Sequence, residues 1–163
     1  MSAVRPIPDL ESIQQKIVGK RYSDALADLL LRLTETPDDP DALYMTAVCR
    51  RYTSDFDGAL ASIEELKRLI PEHGRAHQEE GHTYRDMGND AAALMAYRRA
   101  TRFNAALLAS WKQQLRILTA SGSNSDARLV RSQLDYLERL ARPLIGVIDL
   151  IAQGALLKAE DLC

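Results

Sequence analysis

Gly74-Arg-Ala-His-Gln-Glu-Glu-Gly-His-Thr-Tyr-Arg-Asp-Met-Gly-Asn-Asp-Ala-Ala-Ala-Leu-Met-Ala-Tyr-Arg-Arg-Ala100 reads as two helices joined by one turn. Gly81 and Tyr84 mark the packed face of the first helix, Gly88-Asn89 breaks it, and Ala93, Leu94, Tyr97 and Ala100 recur three and four apart along the second. Working outward from this segment, the same marks return at a constant interval. Alanine stands at Ala25, Ala59, Ala93 and Ala127, each 34 residues after the last. Leu26, Leu60 and Leu94 keep the same step, as do Leu29, Ile63 and Tyr97, Tyr22 and Phe56, and Pro37 and Pro71, with Ala105 in the third place. A period of that length denotes a stack of equivalent supersecondary units, none of which can bury its apolar face alone.

The order of the recurring residues resembles the tetratricopeptide repeat (TPR), in which Trp, Leu-Gly and Tyr mark the first helix and an aromatic, Ala, an aromatic, Ala and Pro mark the second. The expected fold class is therefore all-α, a right-handed α-solenoid of stacked TPR hairpins, with about four repeats and a partial fifth. The repeats fall at 6–39, 40–73, 74–107 and 108–139, with the partial unit at 140–163, and the whole forms a single array over 1–163. Pro40 suits a helix start and Pro71 lies just past a helix end. Ser54-Asp55 and Ser121-Gly122-Ser123-Asn124 provide the turns inside repeats two and four. Trp111 takes the Trp slot of the fourth repeat, but Arg131 occupies a place where an aromatic is usual, so the last full hairpin is expected to pack differently. Pro143 to Gln153 reads as the first helix of the fifth unit, Gly154 as its turn and Leu156 to Cys163 as the opening of a second helix. Leu144, Ile145, Val147, Ile148, Leu150 and Ile151 would then lack the polar cap that closes a solenoid, which points to a fragment of a longer chain.

Composition agrees. The chain has 163 residues, 46% of them hydrophobic but only 6% aromatic, enough for a sizeable helical core and unlike a β-sandwich. A formal charge of −2 lacks the basic excess of nucleic-acid or anionic-membrane binders. Its distribution is uneven, with 9 basic and 13 acidic side chains in residues 1–73 against 11 basic and 7 acidic in residues 74–142. An anionic partner should favour the second half. The 2 cysteines, Cys49 and Cys163, are too few for a disulfide framework and fit a reducing compartment. The N-terminal residues lack a run of signal-peptide type, and Asp149 interrupts the most apolar stretch. A cytoplasmic location is the expectation.

Closer resemblance attaches to three segments: Asp41-Ala-Leu-Tyr-Met-Thr-Ala-Val-Cys-Arg-Arg-Tyr; Pro71-Glu-His-Gly-Arg-Ala-His-Gln-Glu-Glu-Gly-His with Arg85-Asp-Met-Gly; and Arg142-Pro-Leu-Ile-Gly-Val-Ile-Asp-Leu-Ile with Leu157-Lys-Ala-Glu-Asp-Leu-Cys. These look like the amino-terminal TPR region of bacterial TPR-containing sulfotransferase-family proteins. The resemblance implies further repeats and a sulfotransferase-like domain downstream, and it places no catalytic residue here. Sulfuryl transfer would also need a phosphate-cradling loop opening a helix. The 8 glycines are scattered singly, and no such loop can be assembled from them. The chain is thus not expected to be an enzyme, and no cofactor or metal is assigned. His73, His77 and His82 converge poorly, because His73 falls in a loop and His77 in a packing slot. Cys49 falls on a small packed position and reads as a buried thiol.

In TPR proteins the first helices line a concave groove. Register then nominates Tyr44, Val48, Arg51 and Tyr52 in repeat two, Arg75, Gln78, His82 and Arg85 in repeat three, and Lys112 and Arg116 in repeat four. The five cations form a basic stripe beside Tyr44, Tyr52 and His82, suited to a protein or an acidic extended peptide, with Asp41, Glu79 and Asp86 positioned to neutralise part of it. The chaperone-tail carboxylate clamp of other TPRs is not matched, since Tyr44, Val48, Glu79, Ala109 and Gln113 stand at its places. A C-terminal domain of the same polypeptide is a second candidate occupant. The competing reading is a structural spacer or a homo-oligomer module associating through 143–151. Because methyl-sized residues let paired helices approach, Ala59→Phe should lower stability by about 1–3 kcal/mol, read as a fall in the urea midpoint; an unchanged midpoint would refute the register.

Overall fold

The computed structural model describes residues 6–140 and 142–152. The turn expected at Gly154, the helix expected over 156–163 and Cys163 lie outside the described residues. Regular structure among the described residues is entirely helical: α1 (Leu10–Val18), α2 (Tyr22–Glu35), α3 (Pro40–Tyr52), α4 (Phe56–Leu69), α5 (Gly74–Asp86), α6 (Asp90–Phe103), α7 (Leu108–Ala120), α8 (Asn124–Arg139) and α9 (Arg142–Ala152). The chain divides after Pro71 into two compact units, the first holding α1 to α4 and the second α5 to α9.

In the first unit, Pro8 disfavours helix in the residue before it, and α1 opens only at Leu10, where the Asp9 carboxylate accepts from the Ser12 N–H at 2.8 Å. α3 opens four residues earlier in its repeat because Pro40 occupies the first helical position, and Asp39 accepts from Asp41 and Ala42 N–H at 3.1 Å each. Asp55 caps α4 through Gly58 N–H at 3.0 Å. α1 pairs with α2, α3 with α4, and α2 packs on α3. Ile13, Ala25, Leu29, Ala42 and Cys49 form a core with no exposed surface, wrapped by Leu10, Ile17, Tyr22, Leu26, Leu33 and Met45. Ala47 and Ala59 are also fully buried, and Ile63 and Leu66 extend the interior along α4.

The second unit repeats the construction with different cap chemistry. His73 Nδ1 accepts from Ala76 N–H at 3.0 Å one repeat after Asp39, and Asn89 accepts from Ala92 N–H at 3.1 Å one repeat after Asp55. α5 pairs with α6, α7 with α8, and α6 packs on α7. Ala93, Tyr97 and Ile117 are buried at the centre with Tyr84 and Leu94 against them. Along α8 the pattern loosens. Val130, Leu134 and Leu137 face inward, but Leu129 and Tyr136 are exposed, Ala127 is half-buried and Arg131 turns to solvent. On α9 only Val147 is buried, and Leu144 and Ile151 remain about half exposed.

The hairpin turns carry the period in their backbone. Lys20, Ser54, Gly88 and Gly122 all have positive φ, at 59°, 64°, 78° and 73°, and stand one repeat apart. This left-handed conformation costs an ordinary L-residue roughly 1–2 kcal/mol and glycine almost nothing. A Cβ on Gly88 would meet no atom within 4 Å, so its requirement is conformational. Ser54→Gly and Lys20→Gly should therefore each raise stability by about 0.5–1 kcal/mol after the extra unfolded-state freedom of glycine is subtracted. Gly88→Ala should lower it by about 0.5–1 kcal/mol on the same balance. Chemical denaturation of the three variants checks both signs, and destabilised Ser54→Gly would contradict the turn geometry.

Candidate functional site

The residues nominated by register fall on three helices, and each unit presents its own surface. On α3 in the first unit, Tyr44 and Val48 are half-buried. Arg51 is only 8% exposed, with its guanidinium carbon 4.3 Å from the Tyr52 ring centroid, a cation–π arrangement. Tyr52 stacks flat on Tyr22, the first residue of α2, at 4.3 Å between centroids and 4° between planes. Burial, and next the adjoining Tyr52, push the Tyr22 phenol above its usual range. The sequence reading treats Arg51 as a solvent-facing cation. The structure buries it against the Tyr52 ring where α3 ends, with half of Tyr52 left as accessible surface.

In the second unit, Arg75, Gln78, His82 and Arg85 lie along α5, and Lys112 and Arg116 along α7. Each of the four cations already holds a carboxylate of this chain. Arg75 Nη2 donates to Asp149 Oδ2 at 2.6 Å, Arg85 donates through Nε and Nη2 to Asp86 Oδ1 at 2.9 and 2.6 Å, Lys112 meets Glu138 at 2.9 Å and Arg116 meets Asp90 at 3.1 Å. Lys112 and Arg116 and their partners are about half exposed. Exposed pairs of this kind contribute about 0–1 kcal/mol each, so an incoming carboxylate can replace the resident one at little loss. Gln78 is oriented by Ser110, whose hydroxyl donates to its Oε1 at 2.9 Å, joining α5 to α7.

His82 is anchored from beneath. Its Nδ1 lies 2.7 Å from the Tyr97 hydroxyl, and the two rings meet edge to face. Tyr97 is fully buried and sits against Gly81, where a Cβ would fall 2.6 Å from its ring. From α7, Gln114 donates to the Tyr97 carbonyl at 3.2 Å and the Thr101 hydroxyl at 3.0 Å, so a buried polar contact also fastens α6 to α7. His77 points inward, 3.3 Å from Glu80 and stacked on Phe103, as its packing slot implies. Among the described residues no three His, Cys, Asp or Glu side chains are grouped to hold a metal, and Cys49 is buried. Along α7 and α8 an open cleft of about 620 Å³ is lined by Leu115, Thr119, Arg128, Arg131, Tyr136 and Arg139.

Asn104 and Asp149, which meet beside Arg75, stand outside the register positions of the groove. Asp149 carried a signal, as the one charge interrupting an apolar run. Asn104 carried none, because its role depends on which helix returns to it.

The geometry agrees with solved proteins of the same architecture. The thermophilic TPR protein TTC0263 of Thermus thermophilus superposes with a TM-score of 0.66 at 23% identity, over 94% of this chain and 85% of its own. MamA superposes with a TM-score of 0.67 at 13% identity, over 92% of this chain and 83% of MamA. A structure of Naa15/Naa10 bound to HypK-THB matches with a TM-score of 0.70 at 18% identity, over 93% of this chain but 23% of that one. At such identities the likeness is one of fold. No protein-family model and no curated protein matches the chain. The fold class is the all-α TPR solenoid. No helix among the described residues is long and apolar enough to cross a membrane.

Gly81 supports the site by letting Tyr97 reach His82. Gly81→Ala should destabilise the protein by about 1–3 kcal/mol through overpacking against Tyr97, although alanine in a helix is otherwise favoured by about 1 kcal/mol. Urea unfolding measures the balance, and a stabilised variant would disprove the close approach.

Proposed function

We propose that this chain is a TPR scaffold that holds a protein partner, specifically an acidic peptide segment, against the face carried by α5 and α7, and that it performs no catalytic step itself. One observation carries the reading: Arg75 and Arg85 on α5 and Lys112 and Arg116 on α7 are each already satisfied by a carboxylate that remains partly open to solvent. Such a surface selects carboxylates and exchanges them readily, because the resident pairs are weak while a multivalent acidic ligand engages several cations at once. The half-exposed Tyr52 and buried Arg51 of the first unit offer a separate aromatic contact area. A TPR-fold relative whose structure holds HypK-THB, Naa15/Naa10, supports a protein as the class of partner. The resemblance of the segments at 41–52, 71–88 and 142–163 supports a finer reading, in which the array is the amino-terminal helper region of a bacterial, cytoplasmic sulfotransferase-family protein and presents a substrate or the enzyme domain itself. A phosphate-cradling loop encoded downstream would carry that reading further.

Arg51 is unsuitable for a charge-reversal test, because a buried Glu beside Tyr52 would damage the fold. Arg85→Glu combined with Arg116→Glu is suitable, both side chains lying at the surface. On an array of Asp/Glu-rich and neutral peptides, the double variant should lose at least tenfold in binding to the acidic set, whereas Arg99→Glu, on an exposed position of α6, should retain it. Binding insensitive to Arg85 and Arg116 would favour the spacer reading, for which the exposed Leu144 and Ile151 provide an association surface.

A further inference from the structure

Asp149 is a charged residue in the apolar helix α9, and its carboxylate is held from two sides within the second unit. Arg75 Nη2 donates to Oδ2 at 2.6 Å and Asn104 Nδ2 donates to Oδ1 at 2.7 Å. Asn104 is 2% exposed, and its other end is committed, since Oδ1 accepts from Ala106 N–H at 3.0 Å. That bond fixes the amide orientation and leaves the NH₂ aimed at the carboxylate. Gly74 brings the α6–α7 loop onto the first turn of α5, where a Cβ would stand 2.8 Å from Asn104 Cβ. The carboxylate therefore lies beside the amino-terminal turn of α5, which also favours negative charge. Arg75 Nε is buried and makes no hydrogen bond among the described residues, so Asp149 uses one arm of the guanidinium where a well-placed carboxylate takes two. Among the described residues of α9 Val147 alone is buried, while Leu144 and Ile151 are about half exposed.

We propose that Arg75 and Asn104 form a carboxylate receptor for a protein partner whose docking segment carries one acidic residue among aliphatic ones, and that α9 occupies this receptor in cis through Asp149. The inference rests on the scaffold reading above and adds to it a single-carboxylate subsite at the start of α5. A partner segment displaces α9 by offering the second oxygen contact that Arg75 Nε lacks. While Asp149 is in place the receptor answers only to ligands able to outcompete a tethered carboxylate, whose effective concentration is high.

The test uses the full chain and, as probe, a fluorescein-labelled peptide copying residues 142–152, with a twin in which Asn replaces the aspartate. Asp149→Asn should bind the acidic probe at least tenfold more tightly than the unaltered chain and should not distinguish itself with the neutral twin. Adding Arg75→Leu or Asn104→Leu to Asp149→Asn should remove the gain. Hydrogen exchange followed by mass spectrometry should show α9 amides losing protection in Asp149→Asn while α5 to α8 keep theirs, which also reports that the variants remain folded. Equal probe affinity with and without Asp149, or unchanged α9 protection, would overturn the receptor. Failure of the broader scaffold reading appears instead in the Arg85 and Arg116 array, which leaves Arg75, Asn104 and Asp149 untouched.

Discussion

The second unit depends on how closely α5 and α6 approach, and that distance is set where the Tyr97 ring lies against the bare Cα of Gly81. Removing a single methyl group from the helix surface lets a whole aromatic ring enter the interior, and burying such a ring contributes more than the helix loses by carrying glycine. Everything on the accessible side of α5 follows. The Tyr97 hydroxyl arrives under His82, Gln114 reaches across from α7 to the same stretch of α6, and Ser110 orients Gln78. In the first unit Ala47 and Ala59 are buried with methyl groups at the corresponding places, and the buried thiol of Cys49 packs with Ile13, Ala25, Leu29 and Ala42.

Electrostatics act on this frame with much smaller energies. The ion pairs along α5 and α7 are for the most part open to water, and screening leaves each too weak to hold the fold together. In the proposed function their value is in selection, since cations paired with exchangeable carboxylates favour a ligand with several acidic groups in the right spacing. Arg75 differs from its neighbours because its carboxylate comes from α9 and is shared with a buried amide.

Much of the fold was legible because repetition multiplies a weak signal. One alanine on a helix says little, yet alanine at Ala25, Ala59, Ala93 and Ala127 with matching leucines and aromatics leaves few architectures open. Prolines and caps added the boundaries: Pro40 at the first position of α3, Asp55 and Asn89 at equivalent helix starts. The left-handed turn residues were half visible, in Gly88 and Gly122, and hidden at Lys20 and Ser54, where tertiary context imposes a conformation the residue type does not request. For the candidate surface, register identified which side chains share a helix face, and it identified neither what each one touches nor how exposed it is. Arg51 shows the difference, since its charge suggested solvent and its planar guanidinium found the Tyr52 ring.

By itself, the order of residues determined the repeating helical hairpin, the places where small side chains are needed and the acidic-to-basic change along the chain, because each of these is a local or periodic property. Tertiary structure alone decided that Asp149 meets Arg75 and Asn104, residues 74 and 45 positions away. Such a pairing obeys no period: it exists only once the backbone has brought α9 to the beginning of α5, and the energy of a charge-assisted bond depends on that final distance and not on any pattern in the chain.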